Sequence, residues 1–406
     1  MRFGDVSEVV GRFVRSAAFI ALVTLLAVNL LLAFVPGRNV FAELRDPDRF
    51  VWYSKVALLR GGPVDTPENS PPVDTIILGD SQAMSGIVPE ILDRALGSRS
   101  VNLGLPSQQP EGLLALARYI PETLPGVRRV IVNVNPFSLF KTEVVQSFTH
   151  YYRAELARYS LEPAAPGEML HQALLRAPLP LYETNYILAP VLGFGEAGLS
   201  DFTFAQIRSN PGLLTPATYA KYLAGERPGL WPLLQARRER NQRLAELLRQ
   251  QRGFWTWKHF EQPRFDPAVC ANAPARPDLE IRTARGVFAY PPRPAAIKAY
   301  RELFAYLRDR KYEIWLVQIP FSPAYGNLVN EELVYQNVDQ AVAMIVGAPG
   351  DDRIGGGVIP LPQKIPAARA ALPVTGAFVD LTHLSACGAA DYTRWLAGEL
   401  ARRSGK

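Results

Sequence analysis

Residues 73–136 alternate short apolar runs with helical ones at a spacing that few folds tolerate. Residues 75–78 (T-I-I-L) form an apolar run that stops at Gly79-Asp80-Ser81 and gives way to a helical pattern over 87–96, with Pro89 near its start. That reads as a buried strand, a tight turn with Ser81 at its mouth, and a helix leaving behind it. A second strand over 100–103 ends in Asn102-Leu103-Gly104, and Pro110 suits the first position of a helix over 111–120. A third strand over 129–135 (R-V-I-V-N-V-N) stops at Pro136. Strand–helix–strand–helix–strand predicts an α/β fold with a parallel, doubly wound sheet. Such sheets bind their ligands beyond the carboxyl ends of the strands, where Ser81 would sit.

The same rhythm resumes at Pro294. Ile297, Tyr300, Phe304 and Leu307 line one face of a helix, and 312–319 (Y-E-I-W-L-V-Q-I) is a buried strand ended by Pro320. A helix over 330–346 then leads into a glycine-rich loop, 347–357, which lacks the strand and helix that flank a phosphate-binding loop. Towards the end, a short strand reaches Asp380, a loop carries His383, and an amphipathic helix follows with Tyr392, Trp395, Leu396 and Leu400 apolar. Between 141 and 293 the pattern changes to helical segments, such as 233–251, separated by proline-rich loops, which predicts a largely helical insertion. Its Arg-rich helix puts Leu244, Leu247 and Leu248 on one face, so the charges face solvent. The run Phe254-Trp255-Thr256-Trp257 has two readings. Packing of the insertion against the core is preferred; if the run is exposed, Trp255 and Trp257 are the candidate residues for stacking on a sugar ring.

Residues 16–35 carry no charge, and 20 residues at a helical rise span the hydrocarbon core of a bilayer. Arg2, Arg12 and Arg15 precede the run, so the positive-inside rule keeps residues 1–15 in the cytoplasm and exports the remainder. Val40-Phe41-Ala42 is a passable cleavage site, but the run exceeds the apolar core of ordinary signal peptides, which favours an anchor. The expected order is a cytoplasmic N-terminus (1–15), a transmembrane helix (16–35), a stalk with a little local helix near 49–59 (36–72), a first half-domain (73–140), the insertion (141–293) and a second half-domain (294–406). The 35 prolines imply long, stiff loops. A net charge of +6 comes from scattered basic residues with no nucleic-acid motif beside them, so no nucleic-acid partner is expected.

Two cysteines, Cys270 and Cys387, are too few for a disulfide scaffold, although one bridge could form in an oxidising compartment. The four histidines, His150, His171, His259 and His383, lack the i, i+4 spacing of a zinc helix, and neither a metal nor a cofactor is expected. His383 stands apart because Asp380 precedes it by three residues at a strand end. Across one loop turn a carboxylate there can accept the imidazole Nδ1–H and present Nε2 to a nucleophile. A serine at another strand end of the same sheet would complete a catalytic constellation. The Gly-x-Ser-x-Gly elbow of α/β-hydrolases is absent.

Gly79-Asp80-Ser81, Asn102-Leu103-Gly104, a strand ending in Asn135, and Asp380-Leu-Thr-His383 together resemble the ordered blocks of the SGNH (GDSL-type) hydrolase superfamily. The resemblance covers 73–140 and 294–400 and implies a flavodoxin-like three-layer sandwich. It implies Ser81 as nucleophile, His383 as base and Asp380 as the group that orients it. It also implies an oxyanion hole from the N–H groups of Ser81 and Gly104 and the amide of Asn135. Two departures stand out: the serine block reads G-D-S-Q where leucine is usual, and the third block is Asn133-Val134-Asn135-Pro136. Alternation puts Asn133 and Asn135 on one strand face, and Asn135 is chosen as nearer the carboxyl end.

The anchor, the exported domain, the insertion and the run D-L-T-H-L-S-A-C-G are similar to membrane-attached SGNH proteins of bacterial polysaccharide O-acetylation. That implies a periplasmic or otherwise extracytoplasmic serine O-acyltransferase on the bacterial inner membrane, a glycan substrate, and a multi-spanning membrane acyltransferase as candidate partner. An esterase acting on glycans or lipids, and a non-catalytic scaffold or glycan-binding subunit, are the alternatives.

Overall fold

The structure is a computed structural model that describes residues 16–17, 19–28, 51, 54–55, 58, 72–106, 108–140, 242, 245–255, 292–322, 331–346, 357–359, 377–378 and 382–404. The chain forms two compact units, Met1–Pro47 with Pro163–Arg238, and Asp48–Glu162 with Glu239–Lys406. In the first, the described residues are the helical 16–17 and 19–28, where Phe19, Ile20, Leu22, Val23, Leu25, Leu26 and Val28 are all exposed. Among the described residues no helix is long and apolar enough to cross a membrane.

The second unit holds the sheet. Its strands are β1 (Thr75–Leu78), β2 (Ser100–Asn102), β3 (Arg129–Asn133), β4 (Glu313–Val317) and β5 (Gly357–Ile359), in the order β2-β1-β3-β4-β5. Every pair is parallel, with Ile77 beside Asn102 and Ile131, and Asn133 beside Val317. Because side chains alternate along a strand, each apolar run feeds both faces. Ile76, Leu78, Val130, Val132, Ile314 and Leu316 pack on one side, against α3 (Pro110–Thr123), α5 (Pro294–Asp309) and α6 (Glu331–Val346). Ile77, Ile131, Trp315 and Val317 pack on the other, against α2 (Pro89–Leu96) and α7 (Ala386–Arg403). Helices therefore cover both faces. Two short helices follow strands directly, α1 (Ser81–Gly86) behind β1 and α4 (Pro136–Phe140) behind β3.

Several boundaries differ from the sequence expectation. Ser81 does not stand in an open turn; it is the first residue of α1, which Asp80 caps through its side chain. Residues 134–135 lie beyond β3, because Pro136 starts α4 directly after them. The strand expected before His383 is, among the described residues, an isolated antiparallel bridge between Phe378 and Leu384. The fifth sheet strand is instead Gly-Val-Ile at 357–359, at the end of what reads as a glycine-rich loop. Three residues pairing with one neighbour leave too short a pattern for periodicity to detect.

Segments expected outside the half-domains also pack into this unit. Val51, Ser54, Lys55 and Leu58 are helical and buried, so this stretch of the expected stalk is part of the domain. Leu248, Phe254 and Trp255, from the expected insertion, are buried too. They are tied in by backbone bonds from Asn102 N–H to Arg252 O (2.8 Å) and from Trp255 N–H to Met84 O (3.2 Å). The turn that allows this needs Gly253, at φ +87°, where an added Cβ would meet Asn102 O at 2.0 Å. Gly253→Ala combines a left-handed strain with that collision. It should lower stability by about 3 kcal/mol, read as a lower urea midpoint with an unchanged slope.

Candidate active site

The order β2-β1-β3 places a topological switch point between β1 and β3, where the chain leaves β1 for one neighbour and later returns to the other. The backbone beyond these strands carries the site. Gly79 follows β1, and Asp80 caps α1 by accepting Gln82 N–H (3.0 Å). Ser81 is thereby held half-buried at the carboxyl edge of the sheet.

His383 arrives from the far end of the chain on a loop braced at its base. Phe378 bridges Leu384, Ser385 N–H donates to Ala377 O (2.8 Å), and the Ser385 hydroxyl caps α7 by accepting Gly388 N–H. The helix that follows is docked by Thr393, whose hydroxyl oxygen accepts Val88 N–H (3.0 Å), and by Tyr392, whose hydroxyl donates to Gln318 O (3.1 Å). His383 Nε2 then lies 2.8 Å from Ser81 Oγ. On its other side Nδ1 is 3.2 Å from Thr382 Oγ1. In the tautomer with the proton on Nδ1, Nε2 accepts from the serine hydroxyl, the arrangement that base catalysis requires. Asp380, the expected orienting acid, lies outside the described residues. Cys387, four residues beyond His383, is disulfide-bonded, and the sequence's other cysteine, Cys270, also lies outside them.

Both candidate asparagines converge on Asp80. Asn135 Nδ2 donates to Asp80 Oδ2, while Asn133 Nδ2 donates to Oδ1 (3.4 Å) and Asn133 Oδ1 accepts Ile319 N–H (3.3 Å). Burial raises the Asp80 carboxyl above the usual range, against the opposing pull of the Asn135 amide, the nearby His383 charge and the N–H groups of Gln82 and Ala83. Asp80 is thus more than a letter of the serine block: it caps the helix that starts at Ser81 and gathers both asparagines. Asp80→Ala removes a cap and leaves two buried amides short of an acceptor. Stability should fall by about 3 kcal/mol in urea titration.

Gly104 lies against the first turn of α1, where an added Cβ would sit 2.5 Å from Met84 N and 2.9 Å from Asp80 O. No residue with a side chain fits without displacing that helix. Its N–H, expected as an oxyanion donor, donates to Asn102 Oδ1 (2.9 Å), and Asn102 Nδ2 in turn donates to Ala83 O (2.7 Å) and Ile87 O (2.8 Å). Its carbonyl accepts from Lys55 Nζ. Lys55 is 1% exposed, and burial pushes its amine well below the usual lysine value.

Trp255 follows the preferred reading of the aromatic run, packing against the core, and not the sugar-stacking alternative. It is 5% exposed and packs in the core, so its ring offers no platform for a sugar. An aromatic run shows strong burial potential but not which surface absorbs it. Trp257 lies outside the described residues. Sequence reasoning also gave no role to Gln82, Lys55 or Thr382. A lysine between Val51 and Leu58 at helical spacing is a signal for Lys55, and Gln82 stands where the resemblance expects leucine. Among the described residues no group of three or more His, Cys, Asp or Glu side chains could hold a metal ion. No protein-family model matches the chain, and no curated protein matches its sequence.

Proposed function

We propose that the chain is an SGNH-like serine O-acyltransferase, anchored in the bacterial inner membrane, that acetylates an exported or cell-surface polysaccharide outside the cytoplasm. The observation that carries this reading is the 2.8 Å approach of His383 Nε2 to Ser81 Oγ, between residues 302 positions apart, at the switch point of a parallel sheet. Serine is a weak nucleophile until a base within hydrogen-bond reach takes its proton. The uncharged run 16–35 and its exposed apolar helical residues support the anchor, since proteins in water rarely present such a surface.

In the proposed cycle Ser81 Oγ attacks the carbonyl carbon of an acetyl donor while its proton passes to His383 Nε2. The tetrahedral oxyanion collapses, the donor's leaving oxygen takes the proton from His383, and an acetyl-Ser81 ester remains. A sugar hydroxyl then attacks that ester, His383 accepts the hydroxyl proton, and its return to Ser81 Oγ releases the acetylated glycan. The Ser81 N–H, at the first position of α1, has no intrahelical acceptor and suits the oxyanion. For Gly104 N–H to join it, the bond to Asn102 must be shared or released. A multi-spanning membrane acyltransferase supplying the acetyl group fits the anchored arrangement.

The test incubates the full-length protein with p-nitrophenyl acetate, with and without an acidic exopolysaccharide, and maps acetyl adducts by peptide mass. The expected result is an acetyl group on the Ser81 peptide that is discharged faster when the polysaccharide is present. Discharge unaffected by any glycan would favour an esterase. A folded protein that forms no adduct would favour the scaffold.

A further inference from the structure

We propose that Gln82 is a positioning residue that locks the His383 loop onto the helix carrying Ser81. The inference rests on the reading of Ser81 and His383 as a catalytic pair. Gln82 is the second residue of α1, directly after the serine, and it is 1% exposed. Its Nε2 donates to Thr382 O (2.9 Å), so the residue following the nucleophile bonds the residue preceding the base, 300 positions along the chain. Thr382 also touches the imidazole, through Oγ1 at 3.2 Å from Nδ1. The bridge and caps at 377–385 fix only the base of this loop. Besides the contact between Ser81 and His383, the Gln82 amide ties this loop to the serine's helix.

The side chain comes at a cost. Among the described residues Gln82 Oε1 is buried without a hydrogen-bond partner, which disfavours the folded state and which an apolar side chain of similar size would avoid. Leucine, usual at this place in the families the serine block resembles, or methionine would fill the site. Neither could hold the loop. The residue present thus gives up a satisfied acceptor for a donor aimed at the neighbour of the base, and small displacements of a reacting pair are costly in rate.

The experiment compares Gln82→Met and Gln82→Leu with the unaltered full-length protein, using p-nitrophenyl acetate kinetics, phosphonate labelling and urea titration. Each substitution removes an orphan acceptor and leaves Thr382 O without the amide donor, so the urea midpoint should stay close to that of the original. The expected result is a kcat about 10–100-fold lower with KM within about twofold. Labelling should slow in parallel. Full activity in both variants would overturn the brace while leaving the Ser81–His383 pair intact. A kcat that falls only together with the urea midpoint would overturn it in favour of a fold-supporting role. An unaltered protein that neither turns over the ester nor takes the phosphonate would overturn the catalytic reading and the brace with it.

Discussion

Ser81→Ala should lower p-nitrophenyl acetate turnover by about 10⁴-fold or more and abolish labelling by an active-site phosphonate, and His383→Ala should do nearly the same. In the proposed mechanism the two side chains act through one hydrogen bond, 2.8 Å long, so removing either would end proton transfer from Oγ. The double variant should then be little worse than either single one, since residues that act as a unit are strongly non-additive. Stability should hardly change, because both side chains are half-buried and neither fills the core. Urea midpoints measured beside the rates separate lost chemistry from lost fold. Two single variants whose rates fall by unrelated amounts and multiply in the double would show that the serine and histidine do not work as a pair.

Lys55→Met should raise stability at pH 7.5 by about 2–4 kcal/mol and remove a pH dependence that the original protein shows. Lys55 Nζ is enclosed, bonded to the Gly104 carbonyl, and no carboxylate among the described residues pairs with it. Burial therefore drives the amine well below its usual value. Between that lowered value and the unfolded value near pH 10.4, the unfolded chain binds one proton more than the native protein. Stability consequently rises with pH across this window, by up to about 1.4 kcal/mol per pH unit, and is lost as pH falls back through the folded value. Methionine keeps the bulk and has no proton to release, so the slope attributed to Lys55 should vanish. Measurements should stop near pH 9.5. Burial raises both Tyr300 and Tyr392, and these reverse the slope once unfolded tyrosines ionise near pH 10. Equal slopes in Lys55→Met and the original protein would contradict an amine whose proton affinity burial has lowered. A fragment beginning at residue 73 would lack Val51, Lys55 and Leu58 altogether, and should be less stable than one beginning at residue 48.

Much of the sheet is written locally. The run T-I-I-L is β1 to the residue, Pro110 and Pro294 open the helices they were expected to open, and E-I-W-L-V lies within the longer apolar stretch that predicts it. Such elements are legible because a strand buried on both faces is apolar throughout, and because proline tolerates the first turn of a helix. The candidate pair is legible for a related reason. Ser81 follows Gly79-Asp80 at the end of an apolar run, where a doubly wound sheet displays side chains at its edge, and His383 stands out by Asp380 three residues before it.

What the sequence determined by itself, then, is a parallel α/β sheet and the serine and histidine that stand out as a candidate pair. The tertiary structure alone decided what covers each surface and which distant polar groups meet. Periodicity gives the buried face of Val51, Lys55 and Leu58 no partner, and it cannot distinguish a Trp255 seated in the core from one stacked on a ligand. The strand order β2-β1-β3-β4-β5 brings Asp80 to Asn133 and Asn135, Lys55 to Gly104, and Gln82 to Thr382. Each of these is a hydrogen bond between residues more than 45 positions apart. Local pattern records whether a side chain prefers water or protein, and a long-range hydrogen bond depends on which protein atom arrives, a matter of geometry that no single segment contains.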